Sequence, residues 1–126
     1  MKCGLVYDLF FEKHRTGSGH PEQPVRASHV YREIVKAGLL PKTLKINPKA
    51  CVEETLTLAH DSTYLAQAKK DILRGLSVLS TGDTQVCTDS WEVSLRATGG
   101  VLQAVDQVMS GPIKRAFCLT RPPGHH

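Results

Sequence analysis

The sequence lacks a long apolar run, a close pair of cysteines and a dense cluster of basic residues. No stretch approaches the ~20 apolar residues that a membrane-spanning helix needs, so we expect no membrane partner. The four cysteines lie far apart, which argues against a zinc knuckle built on C-x-x-C pairs. Although the net charge is +4, contact with a phosphate backbone normally needs a basic cluster. We therefore expect no direct binding of nucleic acid.

The amino-terminal segment also lacks the features of a secretion signal, because Asp8 interrupts it after only a few apolar residues. Reduced cysteines and a cytoplasmic location are the expectation, with the nucleus as the alternative. Hydrophobic residues make up 40% of the 126 residues and charged residues 22%, which is typical of a globular chain. This length suits one domain or part of a larger one.

Helices and short apolar strands alternate along the chain. Apolar runs predict strands over residues 4–7 and 116–119. Hydrophobic spacing predicts helices over residues 24–38, 62–74 and 90–109, with Gly38 as a C-cap and Asp61 or Ser62 as an N-cap. The segments at 44–47 and 51–52 are of uncertain type. Strands separated by helices favour an α/β fold, in which a partial parallel sheet has flanking helices.

The helix predicted over residues 90–109 carries two further signals. Asp89 followed by Glu92 resembles a capping box. Gly99 and Gly100 cost about 2 kcal/mol relative to alanine, which predicts the close approach of another element. The spacing predicts that one face of this helix is buried: Trp91, Leu95, Thr98, Leu102, Val105 and Met109.

The last strand leads into Arg121-Pro-Pro-Gly-His-His126. In α/β proteins, chemistry gathers at the carboxyl ends of the strands, so this segment is a candidate rim of an active site. His125 and His126 are the candidate catalytic residues. A terminal histidine pair is also typical of a purification tag or a frayed tail, and the residues alone leave these alternatives open.

Four motifs, which follow one another along the chain in the order typical of the family, together resemble the histone deacetylase family. They are the R-P-P-G-H-H segment at 121–126, H-P-E-Q-P-V-R at 20–26, H-D-S-T-Y-L at 60–65 and G-D-T at 82–84. The Arg-Pro-Pro form resembles the class II and bacterial deacetylase-like branch. The resemblance implies that residues 1–126 are the N-terminal segment of a single domain with the three-layer arginase/deacetylase fold, truncated just after the histidine pair.

The resemblance also implies a chemistry, which is metal-assisted hydrolysis of an amide. It implies that His126 is the general base and that His125 is its electrostatic partner. Zn²⁺ is expected for the complete domain, but the family's zinc ligands follow the histidine pair, so this chain is expected to contribute no metal ligand. The chain alone is therefore expected to be inactive.

Three more residues are implied for substrate binding or for the active-site channel: Arg26, Tyr7 and Asp83. The alternatives are an exposed arginine at a helix start and simple packing of Tyr7 at a strand end. His20 and Glu22 are expected to shape the turn before the first helix. A metal pair of His14 and His20 is disfavoured by the Gly-Ser-Gly segment between them.

Two classes of function follow. The first is part of a deacetylase whose substrate is an acetylated protein or an acetylated small amine, and a fragment of an acetylpolyamine amidohydrolase is one variant of it. The second is a non-catalytic, deacetylase-like interaction module. A sheet with few strands leaves an open edge, so we also expect self-association and marginal stability of the chain alone.

Overall fold

The computed structural model describes residues 1–124, whose centre is a three-stranded parallel sheet. Its strands are β1 (Cys3–Val6), β2 (Thr43–Ile46) and β3 (Ala116–Cys118), in the spatial order β2-β1-β3. The two predicted strands are confirmed with slightly different ends. The segment of uncertain type at 44–47 forms β2.

Four α-helices surround the sheet: α1 (Arg26–Lys36), α2 (Glu53–Leu56), α3 (Ser62–Leu73) and α4 (Ser90–Met109). Two 3₁₀ turns cover Leu9–Lys13 and Leu40–Lys42. The local signals at the helix ends are confirmed. Asp61 caps α3, since its carboxylate accepts a hydrogen bond of 2.8 Å from the Thr63 amide, and Gly38 follows α1 with a φ of +65°.

Two predictions about α4 are wrong. The Asp89 side chain makes no capping hydrogen bond, because Asp89 already has helical dihedrals of −84° and −11°. The C-terminal half of the predicted buried face is also wrong, since Leu102, Val105 and Met109 are 41%, 51% and 79% exposed. The buried positions in this half are small residues, Gly99, Gly100 and Ala104.

The predicted close approach at the glycine pair of α4 is confirmed. A Cβ atom at Gly99 would overlap the Lys49 carbonyl oxygen, and one at Gly100 would lie 2.8 Å from Val6 Cγ1. The segment after β2 and strand β1 therefore pack directly against the backbone of α4. Small residues bring this helix close to the sheet.

Helices pack on both faces of the sheet, as is typical of parallel sheets, but Phe117 of β3 is 50% exposed. Successive residues of β1 point to opposite faces, and Val6 packs with Ala104 of α4 while Leu5 packs with Ala27 of α1. These contacts confirm the α/β architecture with flanking helices. Within residues 1–124, no helix combines the length and the apolar character needed to cross a membrane.

Candidate functional site

Polar side chains converge at the carboxyl end of the sheet, where β3 is followed by the Arg-Pro-Pro-Gly segment. The Leu119 amide donates to the Val6 carbonyl oxygen at 2.9 Å, so the pairing with β1 extends one residue past β3. Leu119 is buried, and two residues later Arg121 is 1% exposed. The chain thus carries a full positive charge into the interior at the end of a strand.

Arg121 uses its guanidinium to connect three segments. Its Nε and Nη2 atoms donate to the two carboxylate oxygens of Glu22 at 2.7 and 2.6 Å. Its Nη1 atom donates to the carbonyl oxygens of Phe11 and His14 at 2.7 and 2.8 Å. A buried arginine is tolerated when its donors are paired in this bidentate way. Arg121 therefore fixes the exit of β3 to the loop between β1 and α1.

Glu22 is the acceptor at the centre of this network. Arg26 donates to the same carboxylate at 3.0 Å from the exposed side. Burial alone would raise the pKa of Glu22, but the hydrogen bonds from Arg121 and Arg26 hold that pKa below its ordinary value. Glu22 is therefore an anion that two arginines share, one buried and one half-exposed.

His14 extends the network to the start of α4. Its Nδ1 atom lies 2.8 Å from the Ser90 hydroxyl oxygen, and that oxygen also accepts from the Cys87 amide at 2.8 Å. Its Nε2 atom lies 3.8 Å from Glu22 Oε2. Burial lowers the pKa of His14, and the nearby Arg121 lowers it further. His14 is therefore neutral at physiological pH.

Sequence reasoning missed this network. The R-P-P-G-H-H motif predicts no partner for Arg121. The sequence disfavours a metal pair of His14 with His20 and predicts Ser90 only as the start of a helix. An arginine two residues after an apolar run is the signal that could have revealed it, because a buried guanidinium needs a carboxylate partner. Nothing in the spacing identifies Glu22 as that partner, 99 positions away.

Of the predicted channel residues, one belongs to the network and another packs elsewhere. Arg26 belongs to it and lines a groove with Thr120 and Arg121. Tyr7 follows β1 directly and stacks on Tyr31 with ring centroids 4.2 Å apart, which matches the packing alternative. Burial raises the pKa of Tyr7. Their roles toward substrate stay predictions.

Asp83 does not belong to this network. It is exposed in the loop between α3 and α4, which the bridge between Val78 and Gln85 closes. The predicted catalytic residues His125 and His126 lie outside the described residues. Their roles, like that of Asp83, stay predictions.

The expected turn-forming role of the H-P-E segment agrees with the contacts. His20 Nδ1 accepts from the Glu22 amide at 3.0 Å, while His14 faces Ser90. The two rings therefore have different partners. Among residues 1–124, no group of three or more His, Cys, Asp or Glu side chains is arranged to hold a metal ion. These residues do not fit a zinc site by themselves.

Comparison with known proteins decides the family. The model of the histone deacetylase domain matches residues 20–126, which is most of the chain. The chain belongs to the histone deacetylase family. Its Glu22 and Arg121 therefore lie in two motifs that sequence reasoning had assigned to this family, and the structure joins those motifs by direct contact.

Individual relatives agree with this assignment. The chain is 30% identical to "Histone deacetylase HDA1" of Candida albicans over 151 residues, covering 100% of this chain and 18% of that protein. It is 27% identical to "Polyamine deacetylase HDAC10" of Homo sapiens, covering 83% of this chain and 16% of that protein. The crystal structure of the HDA15 HD domain matches 100% of this chain and 37% of its own, with a TM-score of 0.87 and 26% identity.

The chain thus spans between about a fifth and about a third of the length of the first curated relatives, and little more than a third of the matched structure. The fold of the matched part is shared throughout. The N-terminal portion of a histone deacetylase family domain, predicted from the four motifs, is confirmed.

Proposed function

We propose that this chain supplies the N-terminal part of a metal-dependent amide hydrolase that removes acetyl groups from acetyl-lysine or a similar acetylated amine. One observation carries the proposal. The buried Arg121–Glu22 pair joins the H-P-E segment to the strand exit that leads, along the sequence, to His125 and His126. Two family motifs that are distant in sequence thus form one rigid unit, which is what a preorganised site needs.

In this proposal, His126 accepts the proton of the attacking water and His125 supports its charge. Imidazole suits proton transfer because its ordinary pKa lies near operating pH. Zn²⁺ is the proposed cofactor of the complete domain, held by ligands outside residues 1–124. Arg26 and Tyr7 are proposed to line the channel, and Asp83 to contact substrate at the rim. The proposed location is the cytoplasm.

The decisive experiment measures zinc binding and turnover of an acetyl-lysine peptide by the purified 126-residue chain. We expect neither stoichiometric zinc nor turnover, because ligands and part of the site are missing. A second arm replaces the matching part of the HDA15 HD domain with residues 1–126. In that chimera, His126→Ala should reduce turnover by about 10²–10⁴-fold, the usual contribution of a general base.

Each result has a clear meaning. Tight zinc binding with turnover by the 126-residue chain would contradict the proposed division of the site. Turnover by the chimera that survives His126→Ala would contradict the proposed base. An N-acetylated polyamine assayed beside the acetyl-lysine peptide separates the two substrate classes, since one relative is named a polyamine deacetylase.

A non-catalytic interaction module is the second candidate. A free-standing module should protect the open edges of its sheet with charged residues, and the two edges differ in this respect. Lys45 lies within β2, with Lys42 and Lys49 close on either side, and lysine discourages strand pairing at an edge. β3 carries no charge and Phe117 is 50% exposed. We propose that the chain self-associates through β3. Sedimentation of a monomer with a sharply cooperative unfolding transition would instead favour the independent module.

A further inference from the structure

Asp71 is a buried carboxylate that the network around Arg121 does not use. It lies in α3 and is only 3% exposed, next to Ile72, which packs into an apolar cluster with Leu79 and Trp91. Burial of a charge lowers stability unless that charge has partners, and an apolar side chain of similar size often stabilises a core better. The contacts of Asp71 therefore indicate what this carboxylate does.

Both carboxylate oxygens of Asp71 accept hydrogen bonds. Oδ2 accepts from the amide of Ser80 at 2.9 Å and from its hydroxyl at 2.6 Å, while Oδ1 accepts from Nε2 of Gln67 at 2.7 Å. The bonds from Ser80 hold the pKa of Asp71 below its ordinary value, so Asp71 is an anion at neutral pH. Gln67 belongs to α3 itself, but Ser80 lies beyond the helix. The charge therefore connects α3 to the segment that follows it.

A short hairpin over residues 77–86 follows α3. The Leu79 amide donates to the Thr84 carbonyl oxygen at 2.9 Å, and the Gly82 amide donates to the Leu79 carbonyl oxygen at 3.3 Å. Leu79 is buried in the apolar cluster, which fixes the base of the hairpin. Residues 80–84 beyond it are exposed, so burial does not position the tip.

The tip of this hairpin carries Asp83, the candidate rim residue. Asp83 is exposed and, within the part of the chain that the structure describes, forms no ion pair. Its place therefore depends on the backbone of the tip, whose first residue, Ser80, makes two hydrogen bonds to Asp71. Because the chain is fixed three residues before Asp83, that carboxylate has a small range of positions.

We propose that Asp71 is a positioning residue, which holds the 77–86 hairpin so that Asp83 stands at a fixed place on the rim of the active site. The role of Asp83 toward substrate rests on the proposed function, whereas the contact between Asp71 and Ser80 does not. A tip that is already ordered loses little conformational entropy when a ligand binds, so a preset Asp83 binds more tightly than a mobile one. This gives a reason for a buried charge where an apolar residue would also pack.

The first test measures hydrogen exchange of backbone amides in the ¹⁵N-labelled 126-residue chain. In Asp71→Leu, the Leu79 and Gly82 amides should exchange about 10–100-fold faster, the loss expected for hydrogen bonds to a charged group. Amides of β1, which report global unfolding, should change by a smaller factor. Ser80→Ala removes one bond at an exposed position, where it leaves the core intact, and it should accelerate the same two amides to a smaller extent.

Ile46→Val is the matched control, since Ile46 is buried in a different apolar cluster, on β2. It should lower global stability and accelerate the β1 amides, while the hairpin amides, which exchange by local opening, keep their rates. If Asp71→Leu accelerates the hairpin and β1 amides by the same factor, Asp71 stabilises the fold as a whole and the proposal is wrong.

The second test asks whether Asp71 acts through Asp83, in the chimera with the HDA15 HD domain. Asp71→Leu and Asp83→Asn should each raise KM for the acetyl-lysine peptide about three- to tenfold and leave kcat within about twofold, because a mobile tip reduces the fraction of binding-competent enzyme. The double variant should have the KM of Asp83→Asn alone. KM effects that multiply in the double variant would show that the two residues act independently and would overturn the proposal. The exchange experiment requires no turnover, so a failure of the proposed deacetylase function and a failure of this proposal are distinguishable.

Discussion

Cations at the two ends of the parallel sheet lie in opposite environments, buried and paired at one end and exposed at the other. At the carboxyl end, Arg121 is 1% exposed and every donor group of its guanidinium faces an acceptor. At the amino end, Lys2, Lys42 and Arg115 are exposed, and none of them forms an ion pair within residues 1–124. What differs is whether a loop with a carboxylate covers the strand ends.

This difference shows where rigidity is built into the molecule. A charge that is buried with its partner holds three segments together, because no water can replace a broken contact. A charge that stays in water contributes little to stability and remains available to a ligand. We therefore expect substitutions of the buried charges at the carboxyl end to lower the free energy of unfolding strongly, and substitutions of the exposed cations at the amino end to change it little.

The largest effect is expected for Arg121→Met. Loss of the guanidinium leaves the Glu22 carboxylate and the carbonyl oxygens of Phe11 and His14 without this donor. Removal of one partner from a buried ion pair costs about 3–5 kcal/mol. Urea unfolding, followed by the fluorescence of Trp91, would measure the loss of free energy. A loss below 1 kcal/mol would show that the pair does not hold the strand exit.

The double variant Glu22→Leu/Arg121→Met is the control for this substitution. It removes both charges, so it should regain part of the stability lost in Arg121→Met. The recovery should be incomplete because the two carbonyl oxygens remain without a donor. A double variant that is less stable than Arg121→Met would argue that Glu22 stabilises the fold by other contacts.

The features predicted correctly from the sequence are those that local residues determine. Asp61 and Gly38 mark helix ends through bonds and dihedrals that involve only their neighbours. The glycine pair of α4 is also a local signal, since glycine inside a helix needs a reason. These features do not depend on where the rest of the chain lies.

The features that were missed depend on contacts between distant segments. Periodicity predicted that Leu102 and Val105 are buried, but small residues on the neighbouring face bring α4 onto β1 instead. Glu22 and Arg121 lie 99 positions apart, and their pairing becomes visible only once the sheet brings the β3 exit beside the loop after β1. A single sequence carries no record of that proximity.

A core substitution at the amino end should have an intermediate effect. A Cβ atom at Gly4 would lie 2.5 Å from Ile113 Cδ1 and 3.0 Å from Ile46 Cδ1, which are ends of flexible side chains. Gly4→Ala should therefore cost about 1–3 kcal/mol, as overpacking does when neighbours can shift. The same unfolding assay applies, with Gly82→Ala as a control in open space. Equal stability of the two variants would contradict the close packing at β1.

The carboxyl end should also make stability depend on pH. Burial lowers the pKa of His14 below its ordinary value of 6.5, so unfolding takes up a proton below that pH. Stability is thus complete above pH 6.5 and falls as the pH drops toward the folded pKa. The pKa of Glu22 lies below its ordinary 4.5, so a second loss begins below pH 4.5.

Urea unfolding between pH 7.5 and 4 separates these two groups. His14→Gln should remove the loss that starts below pH 6.5 and keep the one below pH 4.5. His29→Gln, at an exposed position of α1, should change neither. A neutral-range loss that persists in His14→Gln would assign it to another group.

The smallest effect tests the comparison most directly, because Arg26 and Arg121 bind the same carboxylate. The Arg26 side chain is 54% exposed and its Nη1 atom lies 3.0 Å from Glu22 Oε1, a distance close to those of Arg121. Contact geometry alone would give the two arginines similar importance. Solvent screening predicts instead that Arg26→Met costs about 0–1 kcal/mol, like other exposed ion pairs, and that 1 M NaCl removes this cost. Arg115→Met, at the amino end, should stay within about 0.5 kcal/mol of the unsubstituted chain. A cost for Arg26→Met as large as that for Arg121→Met would mean that Glu22, and not burial, determines the strength of both contacts.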